Sequence, residues 1–211
     1  KSIGNILDPL EIIDKYGIDQ LRYYLIKEVS LGNDGNISME NLKNCINNDL
    51  ANNYGNLCQR VFSFLERNCF GKLPAPTELE EVDLNLTNNL INKVDELVAD
   101  MNKQNLNNYL KKVIEFSFNA NKYFNDLEPW VLKKTNINRM NSILFTVVTQ
   151  IKNISILLSP IIPISSSKIL DIMNLKKKDM LLKSITNKNI FDHNLAFKKT
   201  SILFKKVEND N

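Results

Sequence analysis

The sequence predicts an all-α fold, an antiparallel bundle of helices preceded by a small N-terminal piece. Six glycines and six prolines in 211 residues are few for the many tight turns of a sandwich or barrel. Apolar residues recur at intervals of three and four through most of the chain, which is the helical period. Mostly short links join these stretches, and short links favour antiparallel neighbours.

Two short helices are predicted near the N-terminus. Asp8 can cap a helix that has Pro9 at its first position, and Gly17 is placed to end it. Asp19 is expected to cap the second helix, which residues 32–35, Gly-Asn-Asp-Gly, bring to a turn.

A long helix is predicted from Met39, after the capping residue Ser38, to about Asn68. Its apolar residues share one face, and no proline interrupts it. At the α-helical rise this helix spans ~45 Å. A bend or break is expected near residues 47–49, where polar residues cluster.

Further helical stretches follow a linker that begins at Pro74. Pro129 is expected to start a short turn, and Pro160 to end the most apolar helix. The final lysine-rich segment is predicted to be a loop with an apolar anchor. The predicted helices cover residues 86–101, 106–127, 143–158 and 164–173, and the anchor covers 202–204.

Composition excludes several kinds of site and leaves one class of partner open. Cys45, Cys58 and Cys69 match neither a CxxC pair nor a zinc spacing, so free thiols are expected. His193 is the only histidine, and no metal site is predicted. The apolar run 154–164 is too short to span a membrane, for which ~20 residues are needed. A net charge of +3 leaves a polyanionic partner possible.

The first residues resemble class I aminoacyl-tRNA synthetases. Residues 1–5, Lys-Ser-Ile-Gly-Asn, are similar to the end of the Lys-Met-Ser-Lys-Ser signature and the Gly-Asn that follows it. The same family continues with an Asp-Pro, a Tyr-Gly-x-Asp and a Leu-Arg-Tyr, found here at residues 8–9, 16–19 and 21–23. The chain is therefore expected to begin within a longer sequence, as a C-terminal fragment.

The following motifs are similar to those of bacterial methionyl-tRNA synthetases. They are Gly-Asn-Asp-Gly-Asn-Ile-Ser at residues 32–38, Asn-Asp-Leu-Ala-Asn at 48–52 and Gly-Asn-Leu at 55–57. Residues 121–123, 129–130 and 203–204 resemble the Asn-x-Tyr, Pro-Trp and closing Leu-Phe-Pro elements, although Lys205 replaces the last proline. The resemblance implies the end of the signature loop and a stem-contact region in residues 1–36, then an α-helical anticodon-binding domain in 37–211.

The resemblance also implies which residues bind RNA. Asn56 and Arg60 match positions that contact the methionine anticodon, and Trp130 matches the tryptophan that stacks on its first base. Independently, residues four apart share a helix face, and an amide and a guanidinium can read the bases of an unstacked loop. Pro129 is expected to orient Trp130, and Lys133 to neutralise loop phosphates. The alternative is that Trp130 belongs to the core and that the polar residues are only solvated.

The resemblance further implies an enzyme, methionine–tRNA ligase, which uses ATP and Mg²⁺ in its full-length form. Lys1 and Ser2 would contribute to catalysis by contacting the ATP phosphates. The fragment itself is expected to lack the catalytic domain, to need no cofactor and to be inactive alone. The implied partners are the anticodon loop of tRNA(Met) and the upstream catalytic domain, without DNA or membrane, in the cytoplasm.

Two alternatives remain open at the level of sequence. The chain could be the helical domain of another class I synthetase, for valine, isoleucine, leucine or cysteine, since these enzymes share the early motifs. It could also be a non-enzymatic helical bundle that binds proteins, because helical bundles host many functions.

Overall fold

The computed structural model describes residues 8–29, 37–175, 177–186, 196–199 and 202–208. Predictions that involve Lys1, Ser2, residues 32–36 and His193 lie outside the described residues. Within them the protein is helical, and the only β pairing is an isolated bridge between Lys72 and Ala196. The helices are α1 (Pro9–Tyr16), α2 (Ile18–Glu28), α3 (Met39–Cys45), a π-helical segment (Ile46–Gly55), α4 (Asn56–Asn68), α5 (Glu81–Ile91), α6 (Val94–Asn102), α7 (Leu106–Asp126), α8 (Pro129–Thr135), α9 (Ile137–Leu158) and α10 (Pro163–Ile172). Two short 3₁₀ turns, Lys177–Met180 and Leu182–Ser184, follow α10.

The long predicted helix is present as a continuous rod, residues 39–68, made of α3, the π segment and α4. Ser38 caps it as expected, its hydroxyl accepting a hydrogen bond from the Asn41 amide at 3.1 Å. The irregularity expected at residues 47–49 is a widening into π-helix rather than a break, and the backbone stays helical on both sides of the segment.

The N-terminal helices confirm most predicted caps and correct one. Asp8 caps α1 through the Leu10 amide at 2.8 Å, and Gly17 ends it with a left-handed φ of 102°. Asp19, however, does not cap α2. Its carboxylate accepts from the Ser165 amide at 2.6 Å and so caps α10, because Gly17 already occupies the cap position of α2.

Arg22 binds the helix end that precedes α10. Its guanidinium donates to the carbonyls of Ile161 at 2.8 Å and Pro160 at 2.9 Å, just after α9. A carboxylate at a helix N-terminus and a cation beyond a helix C-terminus both complement the helix dipole. Helix α2 thus holds the corner between α9 and α10 at two points. Asp19 caps the start of α10, and Arg22 binds the carbonyls that follow the end of α9.

The prediction of a single helix over residues 86–101 is wrong, because this stretch forms two helices, α5 and α6. A turn at Asn92–Lys93 separates α5 from α6, and Lys93 has φ −94° and ψ 0°. Asparagine-rich sequence disfavours an unbroken helix here. The two pieces have different principal neighbours, with α5 packing on α9 and α6 on α7.

Helix α9 is the centre of the fold. It is long and apolar enough to cross a bilayer, but 83% of its most apolar stretch is buried against the surrounding helices. The Tyr109 hydroxyl donates to the Leu157 carbonyl at 2.6 Å, while Tyr123, near the other end of α7, packs by the start of α9. Helices α7 and α9 therefore run antiparallel.

A buried ion pair joins α5, α7 and α9. The Asp83 carboxylate is fully buried and accepts from Arg139 at 2.5 and 2.9 Å, from the Tyr123 hydroxyl at 2.5 Å and from the Glu80 amide at 2.9 Å. Burial raises the pKa of Asp83, but these hydrogen bonds outweigh that effect and hold the pKa below its ordinary value. Arg139, although only nine residues after Trp130 in the sequence, is thus engaged inside the fold.

The last described residues, 202–208, form a strap along the rod. The Asn47 side chain donates to the Val207 carbonyl and accepts from the Val207 amide, each at 2.8 Å. Phe204 is buried against Tyr54, with ring centroids 6.3 Å apart. The predicted anchor is thus confirmed for Phe204, whereas Ile202 is exposed.

Candidate nucleic-acid interface

An open groove of about 680 Å³ runs along α4 between the rod and α8. Helix α4 supplies most of its wall, because residues separated by three, four and seven positions share one helix face. The groove is lined by Asn56, Gln59, Arg60, Ser63, Phe64, Arg67, Asn68, Phe124, Trp130 and Lys133.

All three residues predicted to bind the anticodon line this groove. Asn56 and Arg60 lie on α4 and Trp130 lies on α8, although 70 positions separate Arg60 from Trp130. Trp130 has 37% of its surface exposed, so it is not a core residue. Asn56 and Arg60 are half-buried. The fold therefore brings together an amide, a guanidinium and an indole at one surface.

The floor of the groove is aromatic. Phe124, at the end of α7, is buried and makes edge-on contacts with Phe64 and Trp130, at centroid distances of 6.4 and 5.8 Å. Such contacts are worth about 0.5–1.5 kcal/mol beyond the apolar area that they bury. They also fix the indole plane without covering it, since Phe124 meets it at 71°.

The Arg60 guanidinium lies over this floor. Its central carbon is 5.4 Å from the Phe124 ring centroid and 5.9 Å from that of Trp130. One amino group donates to the Asn125 side-chain oxygen at 2.7 Å, which fixes the plane of the guanidinium. Arg60 is thus oriented before any ligand arrives, and it keeps donors for a further partner.

The direction of α8 depends on the corner that precedes Trp130. Pro129 is buried at the first position of α8, and Glu128 before it adopts a left-handed φ of 42°. A left-handed conformation is uncommon for a non-glycine residue and costs on the order of 1–3 kcal/mol. The Glu128–Pro129 corner directly precedes Trp130, and the orienting role of Pro129 stays a prediction.

The groove is positively charged. Its lining, within the described residues, has three cations, Arg60, Arg67 and Lys133, and no carboxylate. The Lys133 ammonium donates to the Asn68 side chain at 3.2 Å, so it stays at the rim beside α4. Lys134 is exposed but does not line the groove.

A polar network sets the distance between the rod and α7. The Asn121 side chain donates to the Asn53 carbonyl and side-chain oxygen at 3.1 and 2.9 Å, and Asn53 donates to the Ser117 hydroxyl at 2.7 Å. Asn121 and Tyr123, which carried part of the resemblance, thus act as links between helices.

Sequence reasoning missed several lining residues. Gln59, Ser63 and Arg67 follow Asn56 at intervals of three, seven and eleven, so the helical period alone could have found them. Phe124, which lines the groove, and Asn125, which binds Arg60, carried no such signal, because only the packing of α7 against α4 brings them there. Among the described residues, no group of histidine, cysteine and acidic side chains could hold a metal ion.

Comparison with known proteins gives two family matches. Residues 1–62 match the family described as tRNA synthetases class I (M), and residues 73–211 match the anticodon-binding domain of methionyl-tRNA ligase. The alternatives left open by the sequence, another class I synthetase or a protein-binding bundle, are not the families matched.

Individual relatives and solved structures agree. The chain is 39% identical over 173 residues to a methionine–tRNA ligase of Brucella suis, covering 82% of the chain and 34% of that protein. It is 34% identical over 213 residues to one from Rickettsia felis, covering all of the chain and 42% of that protein.

Two structures of Mycobacterium tuberculosis methionyl-tRNA synthetase superpose closely. The free form has a TM-score of 0.91 at 28% identity, over 97% of this chain and 42% of that one. The complex with methionyl-adenylate has a TM-score of 0.90 at 30% identity, over 96% of this chain and 40% of that one. The chain thus spans well under half the length of these relatives. With two thirds of its residues in the matched anticodon-binding domain, the chain belongs to the methionyl-tRNA ligase family.

Proposed function

We propose that the groove binds the anticodon loop of tRNA(Met). Trp130 stacks on one unpaired base, while Asn56 and Arg60 donate hydrogen bonds to base edges. The observation that carries this proposal is the convergence of these three side chains in a groove lined by cations. Stacking accepts any base, whereas hydrogen bonds to base edges distinguish bases.

The roles of Lys133, which lines the groove, and of Pro129, which precedes Trp130, follow from their positions. Lys133 at the rim neutralises a phosphate of the loop, and Pro129 positions Trp130. Each phosphate contact adds to the salt dependence of binding, because it releases counterions from the RNA. Lys133 should therefore contribute affinity without contributing to the choice of anticodon.

The test measures the affinity of the 211-residue chain for tRNA with a CAU anticodon and with altered anticodons, at two salt concentrations. Trp130→Ala should weaken binding by ~1–3 kcal/mol, about 5- to 150-fold. Arg60→Ala should weaken binding and narrow the difference between CAU and the altered anticodons. Lys133→Ala should weaken binding to all of these tRNAs alike and reduce the salt slope by about one unit.

Lys134→Ala is the matched control, because it removes the neighbouring exposed lysine of α8 without touching the groove. Circular dichroism of each variant checks that the fold is retained. Normal affinity and normal discrimination in both Trp130→Ala and Arg60→Ala would place the binding site elsewhere on the protein.

As part of a full-length enzyme, this chain would contribute to attachment of methionine to tRNA with ATP and Mg²⁺, in the cytoplasm. Lys1 and Ser2 would lie at the ATP phosphates of an upstream catalytic domain. The 211-residue chain alone is expected to give no methionine-dependent pyrophosphate exchange. Exchange above background, with contamination excluded, would contradict this expectation.

A further inference from the structure

Phe70 is the most exposed large apolar side chain in the described part of the protein, with 94% of its surface accessible. It follows the end of α4 and has a left-handed φ of 54°. A bulky residue in this conformation is an outlier, since the left-handed position at a helix end normally holds glycine or asparagine. The ring adds almost no buried area to the fold, and the backbone that carries it is strained.

The turn that presents Phe70 is fixed on both sides. The Gly71 amide donates to the Leu65 carbonyl at 3.0 Å, and the Lys72 amide donates to the Cys69 carbonyl at 2.9 Å. The Gly71 carbonyl accepts from the Phe197 amide at 2.7 Å, and Leu73 is buried directly afterwards. Phe70 is thus held outward by an anchored backbone.

The position of Phe70 relates it to the groove. Arg67 and Asn68, three and two residues before it, form the end of the groove wall, where Lys133 also lies. From Arg60, which lies over Trp130, the rod extends about 12 Å at 1.5 Å per residue to its end at Asn68, and Phe70 lies beyond that end. A single base cannot reach both rings, so Trp130 and Phe70 would serve different nucleotides.

The surroundings of Phe70 indicate the chemistry of its partner. Exposed Arg67 precedes it by three residues and exposed Lys72 follows it by two, against one exposed carboxylate, Glu66, and Lys133 lies at the groove rim where it binds Asn68. On the other side, Lys198 and Lys199 follow the segment that pairs with Gly71. A protein-docking surface would need contiguous apolar area, whereas a lone aromatic ring among cations is the arrangement of a nucleic-acid stacking platform.

We propose that Phe70 is a second base-stacking platform, which takes an unpaired nucleotide of the same RNA loop, different from the one that stacks on Trp130. This inference rests on the proposed function of the groove. It extends the interface beyond the groove, to the end of the rod.

The experiment compares the tRNA affinities of Phe70→Ala, Phe70→Leu and Phe70→Trp in the 211-residue chain. Phe70→Ala should weaken binding about 5- to 150-fold, Phe70→Leu should be similarly weak, and Phe70→Trp should bind as tightly as the parent. Thermal stability should not fall in Phe70→Ala, because the ring makes little contact with the fold. Ile164→Ala, which removes an exposed apolar side chain from α10, is the control and should bind normally.

Abasic substitutions along the loop then identify the nucleotide. At one loop position, the abasic substitution should cause no further loss of affinity for the Phe70→Ala protein. The same abasic tRNA should still bind the Trp130→Ala protein more weakly than intact tRNA does. Normal binding by Phe70→Ala beside weakened binding by Trp130→Ala would overturn this inference and leave the proposed function intact. Full affinity in Phe70→Leu would also overturn it, since leucine cannot stack. If Trp130→Ala and Arg60→Ala also bind normally and still distinguish anticodons, the proposed function itself fails.

Discussion

Replacing Asp83 by alanine should destabilise the protein more than the loss of any exposed ion pair. The change removes a fully buried carboxylate and the four hydrogen bonds that it accepts, two of them from Arg139. The Arg139 side chain is only 10% exposed, so its charge would be left with the more exposed Glu80 as its remaining ionic partner. Breaking a buried pair in this way costs about 3–5 kcal/mol.

The consequence for the melting temperature follows from the size of the protein. For a chain of about this length, each kcal/mol lowers the midpoint by ~2–4 °C, so a decrease of roughly 6–20 °C is expected. Thermal and urea unfolding followed by circular dichroism at pH 7 measure it. Lys122→Gln is the matched control, because it breaks an ion pair between exposed residues one helical turn apart, Lys122 and Asp126. A midpoint for Asp83→Ala as high as that of Lys122→Gln would refute the reasoning.

Three further predictions concern stability. Because the pKa of Asp83 is lowered in the folded protein, its contribution is complete above the unfolded pKa of ~3.9 and is lost as the pH falls below it. Acid titration of unfolding should therefore show less loss of stability in Asp83→Asn than in the parent. Burial lowers the pKa of Lys152 to about 8. Its buried charge therefore destabilises the folded protein fully below pH 8, and this destabilisation disappears as the pH rises towards ~10.4, the pKa of lysine in the unfolded chain. Any stability advantage of Lys152→Met at pH 7 should therefore shrink by pH 10 in urea titrations, and an unchanged difference would contradict the assignment. A β-carbon at Gly55 would lie 2.8 Å from the Leu50 carbonyl oxygen and 3.0 Å from the Phe204 ring. Gly55→Ala should therefore displace the strap and make limited proteolysis cleave it faster. Cleavage at the parental rate would contradict this prediction.

The sequence predicted the helices best where local chemistry decides the structure. Asp8, Gly17 and Ser38 act on adjacent backbone groups, so their roles can be inferred from neighbours in the chain. The α5–α6 break and the position of Asp19 depend on which helices lie nearby, and spacing along the chain does not contain that information. Asp19 carries the residue type of a cap, but the helix that it caps is 146 positions away.

The site shows the same division. The helical period places Asn56 and Arg60 on one face, but their meeting with Trp130 came from the resemblance and not from the pattern. Arg139 shows the converse, since a cation close to Trp130 in the sequence is turned inward to Asp83. Phe70 gave no signal, because an apolar residue at the end of an apolar helix is normally expected to be buried.

The π-helical segment determines the direction in which the groove-lining face of α4 points relative to α3 and α2. Its backbone hydrogen bonds join residues five apart rather than four, so each turn holds more residues than an α-helical turn. Deleting one residue from the segment would rotate everything after it by about 100° relative to α3 and α2. Asn56 and Arg60 would then turn away from Trp130 while every one of these residues was still present. Relatives of this protein should therefore tolerate substitutions at residues 46, 47, 53 and 54, which lie outside the shared motifs, more readily than any change in the length of the segment 46–55.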